Sequence, residues 1–484
     1  MKKLSLSIFL ILSALSTTLA KTSVSGRVLT EGKPLAGVPV TDGINIVTTD
    51  SKGKYKLESN DDCRYVYITL PSGYKIPMEN GTPVLFAEIK PDNKGEFKHD
   101  FDLIPDGTPM DRHLLYVVAD PQVYFDPNMA EVRIAADEMR ELMNTQYTGH
   151  AAVGIMVGDI VGNIKQVDHF NPWMVSEINK CGFPFFYVCG NHDIDTSTST
   201  NEDARGIFNR YFGPSNYSFN RGKVHYVVLD DVFWTGRNYY GYLPKTQLDW
   251  LSQDLALVPE GSTVIVAMHI PCYSREARHQ EWGNEDPKKI LANRQRLFSM
   301  LKPYNAHIMS GHEHYNENYI LSDKLYEHCH APLSTLFWCA PWAMDGTPGG
   351  YAVYEIDGDK VNWYYKSVGR DKDYQFELYP TGLSPEHPEA IVANVWNVDS
   401  SWKVEWLEDG KPMGKMIRFT GHDPNIYNDV AKNGQSYAFP YVGADLTEHL
   451  FYAVPEKPDS EITVRVTDHN GNIYTSSIKN SKIE

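Results

Sequence analysis

Five short motifs, each closing an apolar run, constrain this chain more than any other feature. In chain order they are Asp120-Pro121-Gln122, Gly158-Asp159, Gly190-Asn191-His192-Asp193, Met268-His269-Ile270-Pro271 and Gly311-His312-Glu313-His314. The runs that precede them are Leu114 to Ala119, Val153 to Val157, Phe185 to Cys189, Val264 to Ala267 and Ala306 to Met309. Short apolar runs ending in Gly, Asn or Asp read as buried strands of an α/β sheet. In such sheets ligands bind beyond the carboxyl ends of the strands. One rim is therefore expected to receive Asp120, Gln122, Asp159, Asn191, His192, His269, His312 and His314 together.

Those side chains are metal ligands and proton carriers. Carboxylate, carbonyl and imidazole donors suit Mn, Fe, Zn or Mg. Two carboxylates, two amides and three imidazoles exceed the needs of one tetrahedral ion, and they suffice for two ions sharing one carboxylate. Residues two apart on an extended segment face the same way, as Asp120 and Gln122 would, and His312 and His314.

The order of the motifs resembles that of the calcineurin-like metallophosphoesterases, over roughly Leu114 to Tyr379. The resemblance implies a four-layer α/β/β/α core with its metals on one rim. Asp120, Gln122 and His314 would hold one ion, Asn191, His269 and His312 the other, and Asp159 would bridge both. His192 would be catalytic and face the substrate, with Asn191 also in contact with it. Asp193 would either orient His192 or cap the next turn. One departure stands out: the family commonly has His where this chain has Gln122, and a neutral amide oxygen is a weaker, harder donor than imidazole. The implied activity is hydrolysis of a phosphodiester or a phosphomonoester by a dimetal-activated water. The rival reading is an inactive cell-surface protein that binds glycans or adheres through its outer domains; the intact donor set argues against such decay.

Charge narrows the partners. With 45 Lys and Arg against 62 Asp and Glu, the chain carries −17. That gives no electrostatic case for wrapping nucleic acid, and it repels phosphorylated substrates at long range. Attraction must be local, from the metals and from cations such as Arg275, expected to contact substrate, or Arg278. Residues 1–20 read as a secretory leader: Lys2 and Lys3 precede the apolar run Leu4 to Leu15, and Thr18-Leu19-Ala20 offers a cleavage site. The run is too short to span a bilayer, and no Cys follows it to signal a lipid anchor. A periplasmic or secreted product without a transmembrane segment is expected. Six Cys over this length make no disulfide framework. Cys181 and Cys189 lie too far apart along a strand to pair, and Cys329 and Cys339 flank a loop.

A chain of 484 residues is too long for one ordinary core. Residues 21–108 show short alternating runs with Gly or Asp turns, a β-sandwich pattern that resembles the carboxypeptidase-regulatory or transthyretin-like domains. Residues 109–380 would form the phosphoesterase core, and 381–484 a second β-sandwich. Helices are expected over Ala130 to Met143, Pro244 to Leu257 and Pro287 to Leu301. A hairpin about Asp357-Gly358-Asp359 would complete the second core sheet. The loops Asp195 to Glu202 and Pro271 to Asp286 would wall the site, with Tyr273, Arg275, Tyr315 and Trp338 available to line it. Neither outer domain carries a catalytic cluster, so both are expected to be dispensable for the chemistry on a small aryl phosphate, with cell-envelope or glycan contact as the use left to them.

Overall fold

The computed structural model describes residues 21–60, 62–279, 284–335, 342–434 and 442–481. The leader at 1–20, Trp338 and Cys339 lie outside the described residues. Two facing sheets form the centre. The first runs Phe185–Tyr187, Ala151–Met156, Arg112–Val118, Gly350–Asp357, Lys360–Ser367. The second runs Tyr217–Arg221, Val224–Val228, Thr263–Ala267, Asn305–Ser310, Leu325–Cys329, Glu317–Ser322. The strands that end in the five motifs are parallel to their motif-bearing neighbours within each sheet, so all five motifs emerge at carboxyl ends.

Side-chain alternation along Arg112–Val118 builds the layers. Leu115 and Val117 join the core between the sheets, with Ile155 and Tyr226. Leu114, Tyr116 and Val118 face outward against Met129, Val132 and Met139 of helix Asn128–Thr145 and Met174 of helix Val167–Ile178. On the far side, Trp250 and Leu251 of helix Lys245–Leu255 and Leu297 of helix Arg294–Leu301 cover the second sheet. This is the four-layer α/β/β/α arrangement, flanked by β-domains at both ends of the chain.

Four local expectations change. The Gly358-Asp359 hairpin joins the first sheet, not the second, because Gly350–Asp357 pairs antiparallel along most of Arg112–Val118. The helix expected from Pro287 begins only at Arg294; its first half is a loop whose Leu291 N–H bonds Pro271 and whose Ala292 N–H bonds Gly241. Strand Glu377–Tyr379 pairs with Ile391–Asn394, and Phe376 and Leu378 are buried in the C-terminal cluster. The C-terminal domain therefore starts one strand before the expected limit at 380. Helix Val167–Ile178, with Pro172 inside it, is an element the expectations missed. Cys181, Cys189 and Cys329 are buried free thiols.

No helix among the described residues is long and apolar enough to cross a membrane.

Candidate metal centre

The five strand ends converge. Asp159, His269 and His312 place ligand atoms within 4.8 Å of one another, and so do Asp120, Asp159 and His314. Asp159 belongs to both groups. Around the first, His269 Nε2 lies 3.0 Å from Asn191 Oδ1, 3.1 Å from His312 Nδ1 and 3.3 Å from Asp159 Oδ1. Around the second, His314 Nε2 lies 3.4 Å from Asp120 Oδ1, and Gln122 Nε2 donates to Asp159 Oδ2 at 2.9 Å. All seven side chains expected as ligands are thus gathered at one rim.

The backbone is bent to bring them there. Asp120, Gln122, Asp159, His312 and His314 all have positive φ, between 38° and 70°. Non-glycine residues rarely adopt this region, and when they do the strain clusters at functional sites. Packing is equally close: a Cβ on Gly190 would lie 2.1 Å from the Asp159 amide nitrogen, and one on Gly311 would lie 2.3 Å from Asp120 Oδ2. These glycines are required by approach, beyond any turn preference.

Hydrogen bonds aim the rings. His269 Nδ1 donates to the Val157 carbonyl at 2.9 Å, which turns Nε2 inward. His312 does the reverse: its Nε2 donates to the Lys288 carbonyl at 2.7 Å, leaving Nδ1 on the site side. Such outer partners fix tautomer and orientation in metal-binding histidines. The Asp120 carboxylate also accepts from the His312 amide at 2.9 Å.

The electrostatics suit a cation. Burial disfavours a charged His269, but the Asp159 carboxylate outweighs it and pushes the ring up to about 10. Burial works against the Asp159 charge as well, and His269 reverses that and holds the carboxyl low. The carboxylate thus favours positive charge at His269, as it would favour a metal ion. Gln122 Oε1 is buried with no hydrogen-bond partner, an orphaned acceptor that a metal ion would satisfy. The donor set fits two ions.

His192 stands apart from this set. Its amide donates to Asp159 Oδ1 at 2.8 Å, and its Nδ1 bonds the Gly162 carbonyl at 2.7 Å. Nε2 is 3.9 Å from Asp159 Oδ2, and the side chain is 35% exposed.

Three expectations are corrected or completed here. Asp193 closes its own turn and reaches beyond it. It accepts from Ile160 at 3.0 Å and Gly190 at 2.9 Å, stapling two motif loops together; burial, then Asp159, pushes its carboxyl up to about 7. Arg275 faces the C-terminal domain, not substrate: it pairs with Asp445 at 2.9 Å, bonds the Leu446 carbonyl and the Tyr315 hydroxyl, and lies over the Tyr315 ring. Tyr273 packs against Tyr319, its ring 5.0 Å away. Asp231 was missed. It accepts from the amides of His269 at 3.1 Å and Ile270 at 3.0 Å and so holds that motif in place. The signal was present, since Val224 to Leu229 is another apolar run that ends in Asp230-Asp231.

Three family models match the chain in sequence order: the N terminal of calcineurin-like phosphoesterase at residues 22–106, calcineurin-like phosphoesterase at 114–316, and the C terminal of calcineurin-like phosphoesterase at 327–474. A 3',5'-cyclic-nucleotide phosphodiesterase of Nostoc sp. is 27% identical over 162 residues, 33% of this chain and 54% of that protein. The chain thus spans about half the length of that curated relative. Among solved structures, a dimetal phosphatase from Danio rerio is 16% identical, with a TM-score of 0.39 over 54% of this chain and 97% of that one. A purple acid phosphatase from yellow lupin (Lupinus luteus) seeds is 14% identical, with a TM-score of 0.40 over 69% of this chain and 67% of that one. With the three models matching in order and the donor set at the rim of the core, the chain belongs to the calcineurin-like phosphoesterases.

Proposed function

We propose that this protein is an exported phosphoesterase that hydrolyses a small phosphomonoester or phosphodiester with two ions of Mn, Fe or Zn held at the rim. One observation carries the reading: Asp159 belongs to two separate donor groups. Asp120, Gln122 and His314 complete one group, and Asn191, His269 and His312 complete the other. When bound, the ions supply charge to the phosphoryl oxygens and acidify the attacking water.

The chain's own residues do the rest. The Gly162 carbonyl anchors His192 Nδ1, so Nε2 is the atom that holds a proton for the leaving oxygen. Gln122, a weaker donor than imidazole, makes its group the looser of the two. Asp231 and Asp193 keep the motif loops at fixed separation. The export reading rests on the leader pattern at residues 1–20. Nothing in the site favours an inactive adhesion protein.

Asp159→Ala tests the shared ligand. It is expected to lose both metals and nearly all turnover, and a variant that keeps a full metal complement refutes the bridge. Wild-type hydrolysis that survives exhaustive chelation refutes the metal dependence. His192→Asn is expected to keep both metals and lose about 10²–10⁴ in rate, the usual cost of removing general-acid help. The loss should be smaller for a nitrophenyl ester than for an alkyl ester. Equal losses on the two esters remove the proton-donor role.

A further inference from the structure

Arg275 and Arg278 are both paired to carboxylates of the C-terminal domain, so a cation for the rest of an anionic substrate has to come from elsewhere. Lys288 supplies one. Its carbonyl is the group that orients His312, so its backbone is fixed against the metal centre. Its side chain turns the other way. The ammonium lies 3.4 Å from Asn238 Oδ1 and 5.9 Å from the centre of the Tyr239 ring, over its face. Among the described residues no carboxylate forms an ion pair with it. A carboxylate on its own loop, that of Asp286, accepts from the Lys288 amide at 2.9 Å.

Tyr239 connects this cation to the centre. Its ring meets the His312 ring edge-on at 6.0 Å. Burial, then the Asp159 carboxylate, push its phenol up, as its nearness to the ligand cluster requires. The hairpin that carries it, Val232–Trp234 with Tyr239–Gly241, is held on both sides. Trp234 donates from its indole to the Thr198 carbonyl at 2.9 Å and from its amide to Asn201 Oδ1 at 2.8 Å, while Gly241 donates to the Pro287 carbonyl at 2.7 Å. Ring and ammonium therefore adjoin His312 in two successive contacts of 6.0 and 5.9 Å. The cation is joined to the metal centre through one aromatic ring.

We propose that Tyr239 and Lys288 form a leaving-group subsite, which selects phosphate esters whose alcohol portion is planar and carries a second anionic group. This deepens the phosphoesterase reading and rests on it. The ring of the leaving group packs against Tyr239, and its anion pairs with Lys288, a cation over an aromatic face. In a negatively charged protein, such a local positive site decides which anions are retained.

Phenyl phosphate and 4-carboxyphenyl phosphate make a matched test, since they share a ring and differ in the second anion. Metal-loaded wild type is expected to favour the carboxylated ester by about tenfold in kcat/KM, mainly through KM, the usual size of one charge-assisted contact. K288M should bring the ratio to within about twofold of one, and K288R should retain it; both keep the backbone carbonyl, so metal content should match wild type. Y239A should raise KM for both esters. Calorimetric titration with benzylphosphonate and 4-carboxybenzylphosphonate gives the same comparison without turnover. No preference in wild type, or a preference that K288M leaves intact, overturns the subsite. A metal-loaded wild type that hydrolyses neither ester overturns the phosphoesterase reading and the subsite with it. Binding of the carboxylated phosphonate that K288M abolishes alongside its metals would make Lys288 part of the metal centre instead.

Discussion

The two β-domains flank one core but hold to it by different physics. The interior of the N-terminal domain is continuous with that of the core. Val24, Val28, Val40, Ile68 and Leu70 are buried in the same cluster as Phe219, Tyr226 and Leu229 of the second core sheet. Leu70 bridges directly to Phe219, and Asn220 donates its amide to the Leu70 carbonyl at 2.8 Å. The C-terminal domain has a separate interior, from Phe376 and Ile391 to Val466 and Tyr474. It meets the core largely through polar groups, Arg275 with Asp445, Arg278 with Glu448, and Asn316 and Asn318 with Asn397, with Trp396 packed against Tyr365 and Ala331 as a small apolar contact. Apolar contact holds surfaces together without direction. Charged and amide contacts fix positions, because their geometry is specific. The polar seam falls on residues 315–319, the segment that leaves His314. Both domains are in contact with the core, one through a continuous apolar interior and the other beside a metal loop.

The sharpest way to break this comparison is at the apolar seam. Leu70→Ala is expected to destabilise the whole protein by about 2–5 kcal/mol, the usual range for a buried Leu, in a single transition read by denaturant unfolding. A truncated chain starting near Arg112 should fail to fold, since it exposes Phe219 and its neighbours. If Leu70→Ala unfolds residues 21–105 alone while the core keeps its transition, the shared interior is refuted.

Acid should attack the other half of the core. Between the sheets, on the side toward the C-terminal domain, lie His307, His328 and His330. Each is satisfied as a neutral ring. His307 Nδ1 and His328 Nε2 share one proton at 3.0 Å, His328 Nδ1 meets Asn318 Oδ1 at 2.7 Å, and His330 sits between the Ser310 carbonyl and the Tyr354 hydroxyl. Burial pushes His307 down to about 3 and His330 to about 4, and holds His328 well below the usual range. Their unfolded value is near 6.5. Below it the unfolded chain binds more protons, so stability is full above pH 6.5 and falls as pH drops toward 4. On the order of 1 kcal/mol per histidine is lost at pH 5.5. Hydrogen exchange should loosen Asn305–Ser310 and Leu325–Cys329 before Tyr217–Arg221. Uniform loosening of both regions would argue that the histidines are not the cause.

What is legible in the sequence follows the same division. The strand ends are readable because four of the motifs sit directly after their own apolar runs and the fifth only one residue, Ser310, beyond its run, a local pattern. Asp231 escapes because its strand end does not read as one of the set, although Val224 to Leu229 has the same form. The hairpin at Gly358-Asp359 is visible, but its sheet is not, since pairing with Arg112–Val118 is a non-local choice. The loop before Arg294 keeps a helical apolar spacing, yet its amides bond Pro271 and Gly241 instead of a preceding turn. Arg275 is the clearest failure. A cation next to a metal motif reads as a substrate contact until Asp445, 170 residues away, is seen beside it.

The smallest effect on stability should come from the polar seam, with the larger effect on the metals. Asp445 is partly exposed, so its pair with Arg275 is screened by solvent. Asp445→Ala should cost only about 1 kcal/mol. It also frees Arg275 and the Tyr315 hydroxyl, which Asp445 joins at 2.9 and 3.3 Å. Tyr315 follows His314 directly, so the freed segment widens the range of positions open to the His314 ring. His314 belongs with Asp120 and Asp159, while His269 and His312 belong to the other group. The variant should therefore weaken one metal by about tenfold and leave the second unchanged, as misplacing a ligand's supporting contacts typically does. Asp445→Glu should restore part of that affinity, since a carboxylate remains available to Arg275. The measurement is a two-site metal titration of wild type and both variants. Equal weakening of the two sites, or a stability loss as large as that of Leu70→Ala, would mean that the C-terminal domain supports the core in bulk and does not position the His314 loop.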